Sequence, residues 1–118
     1  FPLMAINRLL ANDPDKACGD RLDAIFGTED WFERFYRKHR RNSIFGEPLE
    51  TVVKACDFDG ISKFYLERLE TIFAGVSQRS KTLCNSRGSR LFQFFFAAGN
   101  PRGAKIAVTI ADHLLRDI

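Results

Sequence analysis

The sequence predicts an α+β fold, mostly helical, with a C-terminal β-hairpin followed by a helix. Three observations carry this expectation. Ile61, Phe64, Tyr65, Leu69, Ile72 and Phe73 recur at helical spacing. After Gly75 the period changes, and two strand-like runs flank the turn-rich "NSRG". Beyond Asn100 and Pro101, Ile106, Ile110 and Leu114 repeat at i, i+4 and i+8.

The elements follow in order. An apolar dipeptide ending in proline, Phe1-Pro2, reads as the tail of a buried strand, and the chain as part of a longer protein cut at or inside that strand. "NDPDKACGDRLDAIFG" reads as a short helix: Asn12 or Asp13 can cap it, Pro14 suits its first turn and Gly27 its end. Leu22, Ile25 and Phe26 fall on one face, and Gly19 weakens the middle. Thr28 then caps a second helix with Glu29 and Asp30 at its positive end. Trp31, Phe32, Phe35 and Tyr36 give that helix a broad aromatic face, and basic residues fill its last turn.

"NSIFGE" at 42–47 reads as a loop, and Pro48 opens a short amphipathic turn or helix through Leu49, Val52, Val53 and Cys56. "DFDG" at 57–60 starts like a calcium loop, but the twelfth position from Asp57 is Arg68 rather than glutamate. It reads better as a turn in which Asp59 caps the helix that Gly75 closes. Of the two strands, the first, near 76–84, is polar and suits an edge. The second, near 90–98, is dense in phenylalanine and suits a central position buried on both faces. His113 sits beside the apolar stripe of the last helix, where a satisfied or exposed histidine is expected.

At 118 residues the chain has the size of one domain or one fragment, with a helical region over 1–75 and the hairpin plus helix over 76–118. An apolar fraction of 45% and a charged fraction of 28% argue against disorder. Twelve phenylalanines require burial, within the chain or on a neighbour. Cys18, Cys56 and Cys84 are far apart, with no metal-ligand spacing, and read as free thiols of a cytoplasmic protein. No apolar run reaches the ~20 residues that cross a bilayer, so no membrane partner is expected. The net charge of +3 says less than its distribution. Arg34, Arg37, Lys38, Arg40 and Arg41 cluster, as do Arg79, Lys81, Arg87 and Arg90.

With these residues in view, the sequence resembles the C-terminal part of the three-Cys-motif partner protein family. The matching pieces are "FPLMAINRLL", "DRLDAIFGTEDW" and "SRGSRLFQFFFAAGNPRGAKI", in that order and spread over nearly the whole chain. The family resembles class I S-adenosylmethionine-dependent methyltransferases, and its members are encoded beside a three-cysteine partner protein that resembles radical enzymes. The resemblance implies that Phe1 and Pro2 end the fifth strand of a Rossmann-like sheet. The helices from about 12 to 73 would be an insert and a return helix, and the hairpin would be the sixth and seventh strands. The family's glycine loop for S-adenosylmethionine and its "DPYG"-like strand end lie upstream of Phe1. This chain therefore contains no cofactor-binding or catalytic residue of that kind; any S-adenosylmethionine belongs to the parent protein.

Two functions from different classes follow. One is the C-terminal portion of a methyltransferase-like protein acting on nucleic acid or on a nucleic-acid-associated substrate. There Arg34, Arg37, Lys38, Arg40 and Arg41 make phosphate contacts, and Asn100, Arg102, Gly103 and Lys105 offer an anion site at a helix N-terminus. The same five cations also suit the negative end of a helix dipole, and "NPRGAK" suits ordinary capping. The other is a non-catalytic assembly module. It would pair with the three-cysteine partner, or with a second copy through exposed aromatic surface or a sheet edge. A stand-alone DNA-binding helical domain fits less well, since the hairpin is present and no helix-turn-helix spacing is.

Overall fold

The computed structural model describes the backbone of residues 1–10, 16–42, 46 and 48–116, with side chains for these except 16–17, 39–42 and 48–51. Asn12, Asp13 and Pro14, expected to start a helix, lie outside the described residues. Among the described residues eleven elements follow one another: α1 (Leu3–Leu9), α2 (Lys16–Phe26), α3 (Trp31–Phe35), β1 (Tyr36–Asn42), β2 (Pro48–Lys54), α4 (Phe58–Ile72), β3 (Gly75–Val76), β4 (Lys81–Cys84), β5 (Arg90–Phe94), β6 (Ala97–Ala98) and α5 (Ala104–Arg116). The fold is α+β. The chain divides into two compact units, Ile6–Ile61 and Phe1–Ala5 with Ser62–Ile118.

In the unit of Ile6–Ile61, α2 buries Leu22 and Phe26, one helical turn apart. It ends where expected, at Gly27, whose φ of 69 suits a left-handed helix end and whose N–H bonds the Asp23 carbonyl at 2.8 Å. The Asp23 carboxylate accepts the Trp31 indole N–H at 2.7 Å, tying α3 to α2. Trp31 and Phe35 are buried, and the Phe35 ring meets Phe26 edge-on at 5.6 Å.

The helix expected to run on to Arg41 stops at Phe35: Tyr36 is already extended, at φ −123 and ψ 151. The helix or turn expected after Pro48 is also a strand. β1 and β2 pair antiparallel, with Arg37 opposite Val53, Lys38 opposite Val52 and Arg40 opposite Glu50. The physical reason lies in both partners. A helix would bring Arg37 and Arg41 together at i, i+4, where like charges repel. Thr51, Val52 and Val53 are a β-branched run that favours a pleated surface. The Ala55 N–H extends the pairing to the Phe35 carbonyl at 2.7 Å.

α4 is found where its spacing places it, with Ile61 and Phe64 buried. Its cap is Asp57 rather than Asp59: the Asp57 carboxylate accepts the Gly60 N–H at 2.8 Å.

In the other unit, Gly75 does not close α4 but belongs to β3. A side chain there would stand 3.0 Å from Ala104 Cβ and from Val108 Cγ2, so glycine is what lets β3 approach α5. The expected hairpin is present but interrupted, with β4 paired to β5 and β3 to β6 as separate two-stranded pieces. Asn85 builds the turn. Its side-chain oxygen accepts the N–H groups of Arg87 at 3.0 Å and Ser89 at 2.9 Å, and Gly88 takes φ 79.

β5 is not buried on both faces. Gln93 is the buried residue, while Phe92 and Phe94 are 49% and 60% exposed. The inversion follows from Gln93's partners: its amide donates to Ser80 Oγ at 2.5 Å and accepts from Thr82 Oγ1 at 2.8 Å. Its backbone exchanges both hydrogen bonds with Phe1, each 2.9 Å, the pattern of an antiparallel bonded pair. Phe1 also stacks on Tyr65 at 4.1 Å. It therefore lies strand-like beside β5 before α1 begins at Leu3, a helix that the sequence reading does not anticipate.

α5 starts after Asn100, but its core face is not the expected stripe. Ile106, Ile110 and Leu114 are 68%, 55% and 60% exposed, whereas Ala104 and Ala111 are buried. Ala104 and Val108 are the α5 residues that meet Gly75, where the missing side chain of the glycine makes the room. Among the described residues no helix is long and apolar enough to cross a membrane.

Candidate nucleic-acid interface

The five clustered cations fall on two elements. Arg34 is exposed on α3, and Arg37 and Lys38 are exposed at the start of β1. Arg40 and Arg41 continue β1 in register opposite Glu50 and Leu49, with side chains outside the described residues. The change from helix to strand matters electrostatically. Four residue steps span about 6 Å along a helix but about 13 Å along a strand. The five positions are thus strung out from α3 along one strand of a two-stranded ribbon rather than gathered around a helix end, with successive strand positions on alternate faces. Arg37 keeps one trace of the capping role: its Nη1 donates to the Glu33 carbonyl, left over at the end of α3, and to the Tyr36 carbonyl, each at 3.0 Å.

Two cavities open beside this ribbon. The smaller, about 260 Å³, is lined by Phe32, Glu33, Tyr36, Arg37, Lys38 and Val52. Phe32 stacks on Tyr36 with ring centres 5.1 Å apart and planes 18° apart, and Trp31 meets Phe32 edge-on at 5.8 Å. Burial, followed by the charges of Cys56 and Cys18, pushes the Tyr36 phenol up to about 12. It stays neutral and places no anion beside Arg37. The larger cavity, about 490 Å³, takes Arg34 together with Lys54, Cys56, Asp57 and Gly60. There the Lys54 ammonium is held by the Asn7 carbonyl at 3.1 Å and the Asn7 side-chain oxygen at 2.5 Å. Burial raises the Cys56 thiol, which suppresses the thiolate a nucleophile would need.

The second expected site lies at the start of α5. Asn100, Arg102 and Lys105 are exposed, and Gly103 is half-buried. Asn100 already uses this end itself, accepting the Arg102 N–H on its side chain at 3.0 Å and the Ala104 N–H on its carbonyl at 2.9 Å. Phe32, Tyr36 and Val52 are lining residues that the sequence places on packing faces rather than in a site. Their signal was present as an aromatic i, i+4 pair and a β-branched run, but it served the expected core.

Among the described residues no group of three His, Cys, Asp or Glu side chains could hold a metal ion. The glycines with positive φ, Gly27, Gly46 and Gly88, sit singly in a helix end and two hairpin connections and build no shared loop. Comparisons with protein-family models, curated proteins and solved structures gave no match.

Proposed function

We propose that this chain is the C-terminal part of a methyltransferase-like protein of the three-Cys-motif partner family, and that it holds nucleic acid through the β1–β2 hairpin. The observation that carries the binding reading is the run of basic positions Arg37, Lys38, Arg40 and Arg41 in β1, with Arg37 and Lys38 exposed at its foot. A two-stranded ribbon of this kind can lie along a phosphate backbone or enter a groove. The family reading is supported by the pairing of Phe1 with Gln93, which sets a strand-like residue on the edge of β5 away from β4. Cofactor binding and methyl transfer would belong to residues before Phe1, and the three-cysteine protein would be a partner of the whole protein. In this reading the protein acts in the cytoplasm.

Replacing Arg37, Arg40 and Arg41 together by glutamate is expected to lower the slope of log affinity against log salt by about 3. Binding of the unaltered chain should weaken steeply between low and physiological salt. Fluorescence anisotropy with labelled oligonucleotides measures both, and an affinity indifferent to salt and to the triple substitution would sink this reading.

One observation favours a second reading, assembly without chemistry. Leu83 and Phe92 are Cα partners across β4 and β5, and with Phe94 they are 42%, 49% and 60% exposed. This row suits a self-pairing surface. Sedimentation at micromolar concentration should then show a dimer that Phe92→Ser with Phe94→Ser dissociates. A monomer at that concentration removes the reading.

A further inference from the structure

We propose that the cavity beside Phe32 receives one unpaired nucleotide, its base stacked on the Phe32 ring and its phosphate against Arg37 and Lys38. The inference rests on the nucleic-acid reading above and sharpens it to single-stranded substrate. A volume of about 260 Å³ is too small for a duplex segment and suits one ring system. Its walls divide by chemistry. Phe32, Tyr36 and Val52 are apolar or aromatic, and Arg37 and Lys38 carry the positive charge.

The aromatic side is held ready. Tyr36 is 4% exposed and backs the Phe32 ring by stacking, while Phe32 keeps 38% of its surface open. Trp31, itself 4% exposed and tethered to Asp23, closes on the edge of Phe32. A ring fixed by two buried neighbours gives up little freedom when a base stacks on it. The cationic side is held as well. Arg37 spends Nη1 on two backbone carbonyls, and no described residue takes its Nη2 or Nε donors, which are free for a phosphate. Glu33 on the rim repels a second phosphate and can accept from an exocyclic amino group, as cytosine carries. Isolated exposed phenylalanines are common on protein surfaces. Phe32 differs in being a buttressed ring in the same cavity as an anchored guanidinium.

The test uses the full chain with two probes of equal length and charge, a single-stranded oligodeoxycytidine and its abasic counterpart. Anisotropy titrations should show the base-bearing strand binding about 5- to 150-fold tighter, the range one stacked base contributes. Phe32→Ala should bind both probes alike, and Phe32→Tyr should restore the preference. Circular dichroism of each variant separates loss of the ring from loss of the fold, and rescue by tyrosine does so independently. Equal affinity of the unaltered chain for both probes would overturn this inference and leave the hairpin reading standing. A preference that survives in Phe32→Ala would overturn it too, because the stacking surface would lie elsewhere. Binding to neither probe at low salt would end both.

Discussion

Replacing Phe35 by alanine is expected to cost about 3–5 kcal/mol of stability, the range for emptying a buried aromatic site. Phe35 is 1% exposed and occupies the joint where α3 becomes β1. Its ring meets Phe26 of α2 edge-on, a contact worth about 0.5–1.5 kcal/mol beyond the buried area. Its carbonyl accepts the Ala55 N–H just past the last residue of β2, so the backbone here also anchors the hairpin. A domain of this size has only about 5–15 kcal/mol in total, and the loss would therefore be visible as a large fall in the urea midpoint. Trp31 is the single tryptophan and lies in the same unit, which makes its fluorescence the local probe. Phe32→Ala is the comparison, since that ring is 38% exposed and should cost far less. A Phe35→Ala loss below about 1 kcal/mol, outside the range for a filled core site, would mean that α3 does not pack on α2 as described.

The same joint shows why part of the fold was legible in the residues and part was not. α4 and α5 announce themselves through apolar spacing or a proline-led start, and α2 through its periodic face and the glycine at its end. These are local signals, and tertiary packing did not override them. The stretch from Trp31 to Arg41 carries two conflicting local signals. Its aromatic spacing and acidic start suit a helix, and its dense cations suit neither helix nor strand alone. The decision is made by a partner some dozen residues away, the β-branched Thr51, Val52 and Val53, with which β1 pairs residue for residue. Strand pairing is non-local, so a reading that proceeds along the chain gives it too little weight.

Burial was harder to read than element type, and for a related reason. Apolar Ile106, Ile110 and Leu114 were expected inside, yet Ala104 and Ala111 are the buried residues of α5, and Ala104 and Val108 are the ones that meet Gly75 of β3. In β5 the expectation of a wholly buried phenylalanine strand failed at Gln93. Its amide is the one side chain there that can satisfy Ser80 and Thr82 together. The candidate site follows the same pattern. Its basic residues were evident from the sequence, but their spacing along a strand, and the cavity that Phe32 and Tyr36 form beside them, depend on the hairpin.

Ser77→Ala is expected to destabilise the unit containing β3 and α5 by about 1.5–3 kcal/mol, the range for a hydrogen bond to a charged group. Ser77 is 0% exposed and lies in the interruption between β3 and β4. Its hydroxyl donates to the Asp112 carboxylate on α5 and accepts the Arg79 N–H at 3.2 Å. Its own N–H bonds the Phe96 carbonyl at 3.0 Å. One small side chain thus links the break in the first strand run to the helix that packs on it. Removing the hydroxyl leaves a half-buried carboxylate without that donor, whereas Asp112→Ala removes the charge and leaves a buried hydroxyl that still has the Arg79 carbonyl at 3.1 Å. The second loss should be smaller, and the double variant should cost less than the two single losses added together. A double-mutant cycle read from urea unfolding isolates the coupling. Strict additivity, within about 0.3–0.5 kcal/mol, would show that Ser77 and Asp112 do not act as a pair.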